Sequence, residues 1–478
     1  MQHRLLWFRD DLRVNDNAAV SAALNCDPSS QITTVFLTAD DEWATFGYGA
    51  NRLYYTEQLL KSLAHELAQR GIQFQVIRLS DYASQIRWIT DYCQRERVTD
   101  LYFNQEYQWN ERMRDHQIAA ELNHVSVHSF VDRVILQPST VLTGDDRYYS
   151  VFSPFKKRWL AVYQENNHAP YQLPESKRPK TTPVSWMSLS ESPESDLTAF
   201  ATNEQQALDD LDAFIETKLT RYDASRNQPS IRGTSRLSAA LARGLLSPRL
   251  CIKAAEAAMR RPISDFPEGA FAWINELIWR DFYQHLLVGF PRLSKNNAFR
   301  PETDALQWRN NETEIEALTN GLTGIPIVDA GMRELTATGW MHNRVRMIVA
   351  SFLVKHLLLP WQEGARWFWD TLVDADLASN TQGWQWAAGC GADAAPYFRI
   401  FNPITQGDKF DARGEYAKRW IPELEKMPKK FVFSPWMAPP SVLAESEVEL
   451  NGNYPGPCVD HSEARARALA ALATLKQI

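Results

Sequence analysis

Over the first 130 residues, short runs of β-branched and aromatic residues alternate with stretches whose apolar positions recur every three or four residues. RLLWF (4–8), ITTVFL (32–37), FQVIRL (74–79), TDLYF (99–103) and VSVHSF (125–130) are the strand-like runs. Between the second and third, Leu53, Leu60, Leu63 and Leu67 recur at helical spacing. This alternation predicts a Rossmann-like α/β domain over 1–130, a parallel sheet wrapped by helices. No GxGxxG follows the first strand, so the usual dinucleotide site is not expected there. From Glu204 the strand signal fades. Ala207–Leu219, Leu237–Arg243, Phe271–Val288 and Gly339–Leu359 carry apolar residues at three-and-four spacing, predicting an all-α helical domain over 204–478. Residues 131–203 read as an irregular interdomain linker, because 168–196 is crowded with proline, serine and charge.

Length supports two domains: 478 residues exceed the usual size of a single core. A net charge of −7 argues against general nucleic-acid binding unless basic residues gather locally. Five scattered cysteines (Cys26, Cys93, Cys251, Cys390, Cys458) form no CxxC pair, and the ten histidines form no HExxH. The expectation is a reducing cytoplasm, no disulfide framework and no metal. The N-terminus becomes charged too early for a secretion signal, and no apolar run is long enough to span a membrane. A soluble cytoplasmic monomer is the default expectation.

Candidate chemistry gathers in four places. Tyr222 precedes RNQPSIRGTSRLS (226–238), where Thr234, Ser235, Arg236, Leu237 and Ser238 fall at the predicted opening of a helix. That is either an anion site or an ordinary serine/threonine cap. In FAWINELIWRDFY (271–283), Trp273, Glu276 and Arg280 share a helical face beside Trp279. A carboxylate among indoles is partly desolvated, and a structural Glu276–Arg280 pair is the plain alternative. In GWMHNRVRMIVASF (339–352), Asn343 and Met347 lie one turn apart, with Arg344 and Arg346 between them.

The densest stretch is Trp361–Pro403. It holds Trp361, Trp367, Trp369, Trp384 and Trp386 together with Asp374, Asp376 and Asn380, and Trp340 lies just upstream. Such aromatic density implies a packed interior or a flat aromatic ligand. Trp384 and Trp386 point roughly 200° apart on a helix, so one can face inward and the other a cavity.

DADLASN, GWQWA and APYFRIFNP, in this order, resemble the flavin-binding signature of the cryptochrome/photolyase family, in particular bacterial class I cyclobutane pyrimidine dimer photolyases. WFRDDLR (7–13) resembles that family's opening, although without the other motifs a first strand ending in charged loop residues is the preferred reading.

The resemblance implies FAD. Its pyrophosphate would lie at Thr234, Ser235, Arg236, Leu237 and Ser238 beside Tyr222, and its ring among Trp273, Arg280, Arg346, Asp374, Asp376 and Asn380. Arg346 would pair with Asp374 beneath the ring. Glu276, Trp279, Asn343, Arg344, Met347 and Trp386 would meet a flipped-out lesion in damaged DNA, with Arg226, Arg232, Arg344 and Arg399 on phosphates. SPFKKRW (153–159) adds Lys156, Lys157 and Arg158, as a solvated face or a DNA-facing one. Trp384, Trp361 and Trp308 would form an electron-transfer chain that reaches the surface at Trp308.

The implied reaction is light-driven splitting of the dimer by an electron from excited, fully reduced flavin, with that electron returned. Asn110, Glu111 and Lys295 resemble contacts of an antenna folate. Phe46 and Ser294 depart from that pattern, leaving methenyltetrahydrofolate first and a deazaflavin second. Cys390 and Gly391 depart from one familiar version of the flavin signature, and no role is assigned to that cysteine. The rivals are a cryptochrome photoreceptor, a dark flavin oxidoreductase and a relative that prefers single strands.

Overall fold

The computed structural model describes all residues except 1, 26–29, 167, 177, 397 and 475–478. Cys26, Tyr397 and the last four positions of the expected helical domain therefore lie outside the described residues. The five strand-like runs form β1 (His3–Phe8), β2 (Gln31–Leu37), β3 (Phe74–Ile77), β4 (Asp100–Asn104) and β5 (Ser126–Phe130). They make one sheet in the order β3-β2-β1-β4-β5, with every pairing parallel. β1 is central because both of its faces are apolar. Leu5 and Trp7 pack with Val35, Leu101, Phe103, Ile89 and Ile118 on one side. Leu6 and Phe8 face the other way.

That second face joins the two halves of the molecule. Leu6 and Phe8 belong to the same buried cluster as Leu59, Leu63, Trp159, Phe214, Trp273 and Phe282. A second cluster, around Met341, Val345, Trp361, Phe368 and Trp384, lies wholly in the helical half. The long helices there include Glu204–Thr217, Glu268–Gly289, Pro326–Thr338, Trp361–Thr371 and Leu377–Ala388. The expected helix over Gly339–Leu359 instead starts at Asn343, where His342 Nδ1 accepts the Arg344 N–H at 3.1 Å. It passes into a π-turn at Phe352–His356.

One expectation is corrected. Residues 131–203 are not irregular throughout. The described residues of 168–196 lack helix and strand, but Phe152–Glu165 is a helix whose Phe155 and Trp159 are buried and whose Trp159 indole donates to Asp281 at 3.0 Å. Its apolar positions fall on one face, a signal masked by the proline-rich run that follows.

β1 does end in charged loop residues, but Arg9, Asp11, Arg13, Asp16 and Asn17 are all buried. Arg13 pairs with Asp132 at 2.7 Å, and Asp10 pairs with Arg133 at 2.8 Å and Arg243 at 2.7 Å. Buried ions persist only when paired, and these partners come from 132–133 and from the helical half, so the motif forms the joint between the halves.

Candidate functional site

The residues expected beside the ring gather at the turn before Leu377–Ala388. Asp376 caps that helix by accepting the Ser379 N–H at 2.9 Å, and it also accepts from Arg133 at 2.7 Å and Gln284 at 3.0 Å. Burial opposes its charge, but Arg133 and Arg280 outweigh that and hold the carboxyl well below the ordinary range. Asp374 receives Arg346 at 2.8 Å, the pairing implied by the resemblance, while its Oδ1 is buried with no partner in the protein. One turn into the helix, Asn380 donates to the Ala365 carbonyl at 2.8 Å. Arg280 is not paired with Glu276; it donates to the backbone carbonyls of Arg133 and Leu241.

Thr234, Ser235, Arg236 and Leu237 line a cavity of about 270 Å³ together with Lys218 and Arg232. The helix after them is only Ser238–Ala242, and no side chain caps it, so the ordinary capping explanation fails. Arg236 sits in the left-handed region at φ 57 with its guanidinium 4.5 Å from the Trp340 ring centroid, and its Nε is buried without a partner. Burial lowers its proton affinity, a cost that an anion in the cavity would relieve. Ser238 Oγ accepts from the Trp340 indole at 3.3 Å. Tyr222 and Trp273 are buried against Phe214 on the neighbouring wall. A cationic, hydroxyl-lined cavity, together with the orphaned Arg236 Nε and Asp374 Oδ1, suits a pyrophosphate joined to a hydrogen-bonding ring. The residues present therefore fit FAD.

Glu276 finds its cation across the fold, in Arg226 at 2.5 Å. Burial raises the proton affinity of this carboxyl, and Arg226 opposes that. Arg226 was expected only as a phosphate contact, and nothing local in the sequence links it to Glu276, fifty residues away. Arg344 donates to Asn227 Oδ1 at 2.7 Å and to Met347 Sδ at 3.5 Å. Burial and the nearby charges of Arg226 and Arg399 push the Arg344 guanidinium down, so these three cations converge although the chain is acidic. Arg399 lies 5.8 Å from the ring centroid of Trp386. Asn343 is exposed beside this group.

The two tryptophans of GWQWA separate as helical geometry requires. Trp384 is buried, edge-on to Phe368 at 4.9 Å and in one cluster with Trp361, whereas Trp386 is half-buried. Trp308 packs on the outside of that same cluster. Gly364 makes the close fit possible, since a Cβ there would lie 2.1 Å from an atom of the Trp384 ring.

Asn110, Glu111 and Lys295 line a cleft of about 710 Å³ between the two halves, with Phe46, Ser294, Trp369 and Asn380 also on its walls. Lys295 lies 4.3 Å from the Trp109 ring centroid. Burial and Glu106 push Glu111 up to about 7, and its Oε1 accepts from Tyr82 at 2.7 Å. Trp369, Gln362 and Asp370 were not singled out from the sequence as cleft residues. They share the helix Trp361–Thr371 with Trp361. Among the described residues, no cluster of histidine, cysteine and carboxylate could hold a metal ion. No described helix is long and apolar enough to cross a membrane.

An α/β half joined to a helical flavin-type half is the architecture of photolyases and cryptochromes. Residues 4–176 match the family model described as DNA photolyase, and residues 273–474 match the FAD binding domain of DNA photolyase. The chain belongs to the DNA photolyase family. It is 41% identical to the deoxyribodipyrimidine photo-lyase of Escherichia coli K12, over 98% of each chain. A bacterial class III photolyase structure from Agrobacterium tumefaciens superposes with a TM-score of 0.88 at 36% identity, covering 100% of this chain and 98% of that one. A Synechocystis cryptochrome superposes at 0.86 with 26% identity, covering 98% and 99%. Backbone shape therefore does not separate repair from signalling.

Proposed function

We propose that the protein repairs DNA in light, splitting cyclobutane pyrimidine dimers. The observation carrying this reading is the half-buried Glu276–Arg226 pair, one helical turn from Trp279, beside the converging Arg344 and Arg399. FAD, when bound and fully reduced, supplies on blue-light excitation the electron that opens the two bonds joining the pyrimidines, and it takes that electron back.

The chain's own residues do the rest. Glu276 accepts from the pyrimidine N–H when ionised, or donates to a pyrimidine carbonyl when neutral. Trp279, Trp386 and Met347 form the apolar walls, and Asn343 lies between lesion and ring. Tyr222, Thr234, Ser235, Arg236, Leu237 and Ser238 hold the pyrophosphate. Trp273, Arg280, Arg346, Asp374, Asp376 and Asn380 hold the ring. Trp384, Trp361 and Trp308 carry electrons in from the surface. Arg226, Arg232, Arg344 and Arg399 take phosphates.

Photolyases, like glycosylases, take their target out of the stack, at a general cost of about a few kcal/mol that is smaller for a damaged base. Stacking returns about 1–3 kcal/mol per base. The protein acts as a cytoplasmic monomer, with an antenna region at 1–130, a connection at 131–203 and a catalytic region at 204–478.

We place the antenna chromophore in the 710 Å³ cleft at Asn110, Glu111 and Lys295, methenyltetrahydrofolate ahead of a deazaflavin. The cavity at the strand ends, near Trp7 and Arg114, holds only about 40 Å³. A photoreceptor is the less favoured reading, because the similar curated proteins at 39–41% identity over nearly the whole chain carry the photo-lyase name.

The test is a repair assay with chemically reduced protein and an oligonucleotide bearing one cyclobutane dimer, lit with blue light or kept dark. Pyrimidine absorbance recovered only in light is the expected result. Flavin-loaded protein that recovers none overturns the proposal.

A further inference from the structure

Trp279 is held in place by a residue from the segment that joins the two halves. Phe152, the first residue of the helix Phe152–Glu165, stacks on Trp279 with ring centroids 3.6 Å apart and planes 8° from parallel. Phe152 is 5% exposed, whereas Trp279 is only half-buried, so Phe152 covers one face of the indole. Phe282 packs edge-on behind Phe152 at 5.7 Å and behind Trp279 at 5.6 Å, which fixes the tilt of the pair.

The backbone of Phe152 makes a second tie. The N–H groups of a helix's first turn have no partner within the helix. No side chain of this helix's own N-cap, Val151, serves them. Asp393 supplies the acceptor instead, with Oδ2 at 3.2 Å from the Phe152 nitrogen. Asp393 occupies the left-handed region at φ 48, a conformation that a non-glycine residue keeps only when its surroundings hold it. It lies in the turn that leaves the Trp386 helix, where the Ala395 N–H returns to the Trp386 carbonyl at 3.2 Å. Phe152 thus touches one aromatic wall through its ring and the turn leading from the other through its amide.

We propose that Phe152, with Asp393, is a positioning residue for lesion recognition. It sets the plane of Trp279 and its spacing from the loop after Trp386, so that a dimer enters a slot already at the right width. This inference rests on the placement of Trp279 and Trp386 in the lesion pocket. Preorganised stacking surfaces favour affinity for the lesion over affinity for ordinary duplex, whose phosphates meet the arginines instead.

The experiment compares Phe152→Leu, Phe152→Tyr, Asp393→Gly and Trp279→Ala as full-length, flavin-loaded protein. Binding is measured to one oligonucleotide with a single cyclobutane dimer and to its undamaged twin. Flavin content and photoreduction are followed alongside. Phe152→Leu keeps apolar bulk but removes the flat ring, and is expected to weaken dimer binding about tenfold. Binding to undamaged DNA, flavin content and repair per bound dimer stay near wild type, and Phe152→Tyr restores dimer affinity. Asp393→Gly keeps the backbone conformation, loses the acceptor and weakens dimer binding in the same selective way. Should Phe152→Leu fold poorly, this variant carries the test.

Unchanged dimer affinity in Phe152→Leu and Asp393→Gly, while Trp279→Ala loses it, overturns this inference alone. Equal losses on both DNAs overturn it too, since a merely structural role predicts them. An unaffected Trp279→Ala overturns the pocket assignment and this inference together.

Discussion

Arg133 donates to Asp376 at 2.7 Å and to Asp10 at 2.8 Å, so one buried guanidinium joins the end of β1 to the cap of the helix that carries Asn380. Burial opposes the charge on both carboxylates, and Arg133 helps to hold each ionised, with Arg243 at Asp10 and Arg280 near Asp376. Arg133→Met is expected to cost about 3–5 kcal/mol of stability, as removal of one member of a buried ion pair does. It should also lower the flavin-to-protein ratio. Denaturant unfolding and the absorbance ratio check this. Asp376 is depressed below its unfolded pKa, so its contribution is present above about pH 4 and is lost as pH falls through the folded value. Arg133→Met should shift that loss to higher pH.

Glu276→Ala should leave flavin content and photoreduction intact while weakening repair. Losing one or two charge-assisted hydrogen bonds, each worth about 1.5–3 kcal/mol, predicts a fall of tenfold or more in dimer affinity. Titration with dimer-bearing DNA, beside an absorbance measurement of bound flavin, separates the two effects. Equal affinity in the variant would remove Glu276 from the lesion site.

Trp308→Phe should block photoreduction of oxidised protein and spare repair by protein reduced chemically beforehand. Phenylalanine keeps the packing on the second core cluster but is far harder to oxidise than an indole. Bleaching of the flavin absorbance under blue light with an external reductant gives the readout. Normal bleaching would exclude Trp308 as the surface end of the chain.

Gly364→Ala places a methyl 2.1 Å from the nearest Trp384 ring atom, well inside contact distance. Overpacking of this kind costs about 1–3 kcal/mol and displaces the ring. The expected outcome is a lower midpoint of denaturant unfolding together with slower photoreduction. A midpoint and rate equal to wild type would mean that the helix pair shifts freely.

His342 caps its helix through an unprotonated Nδ1, and burial together with Arg346 and Arg344 lowers its pKa to about 4. The unfolded chain binds a proton near pH 6.5 that the folded chain refuses, so stability rises with pH between about 4 and 6.5 and is lost below. The full shift corresponds to about 3 kcal/mol, shared in the same direction by His285, lowered to about 4, and His356, lowered to about 3. His342→Asn keeps a capping oxygen without a titrating group. Its unfolding free energy should fall less steeply between pH 6 and 4.5 than that of the wild type.

Periodicity in the sequence was enough to place all five strands, the helix at Ala50–Gln69 and the helical character of the second half, because burial on one or both faces of an element writes its period into the chain. The opposite facing of Trp384 and Trp386 was legible for the same reason. Motif resemblance located the residues of the candidate site, and the Arg346–Asp374 pair appears in the structure.

What only the tertiary structure decided is the identity of partners. Glu276 pairs with Arg226 rather than the nearer Arg280, Asp376 takes Arg133, and Phe152 stacks on Trp279. Three arginines also gather in a chain of net charge −7. Each of these joins residues from separate elements, and long-range pairings leave no period. They follow from which buried charges and rings meet when the sheet and the helices close on one core.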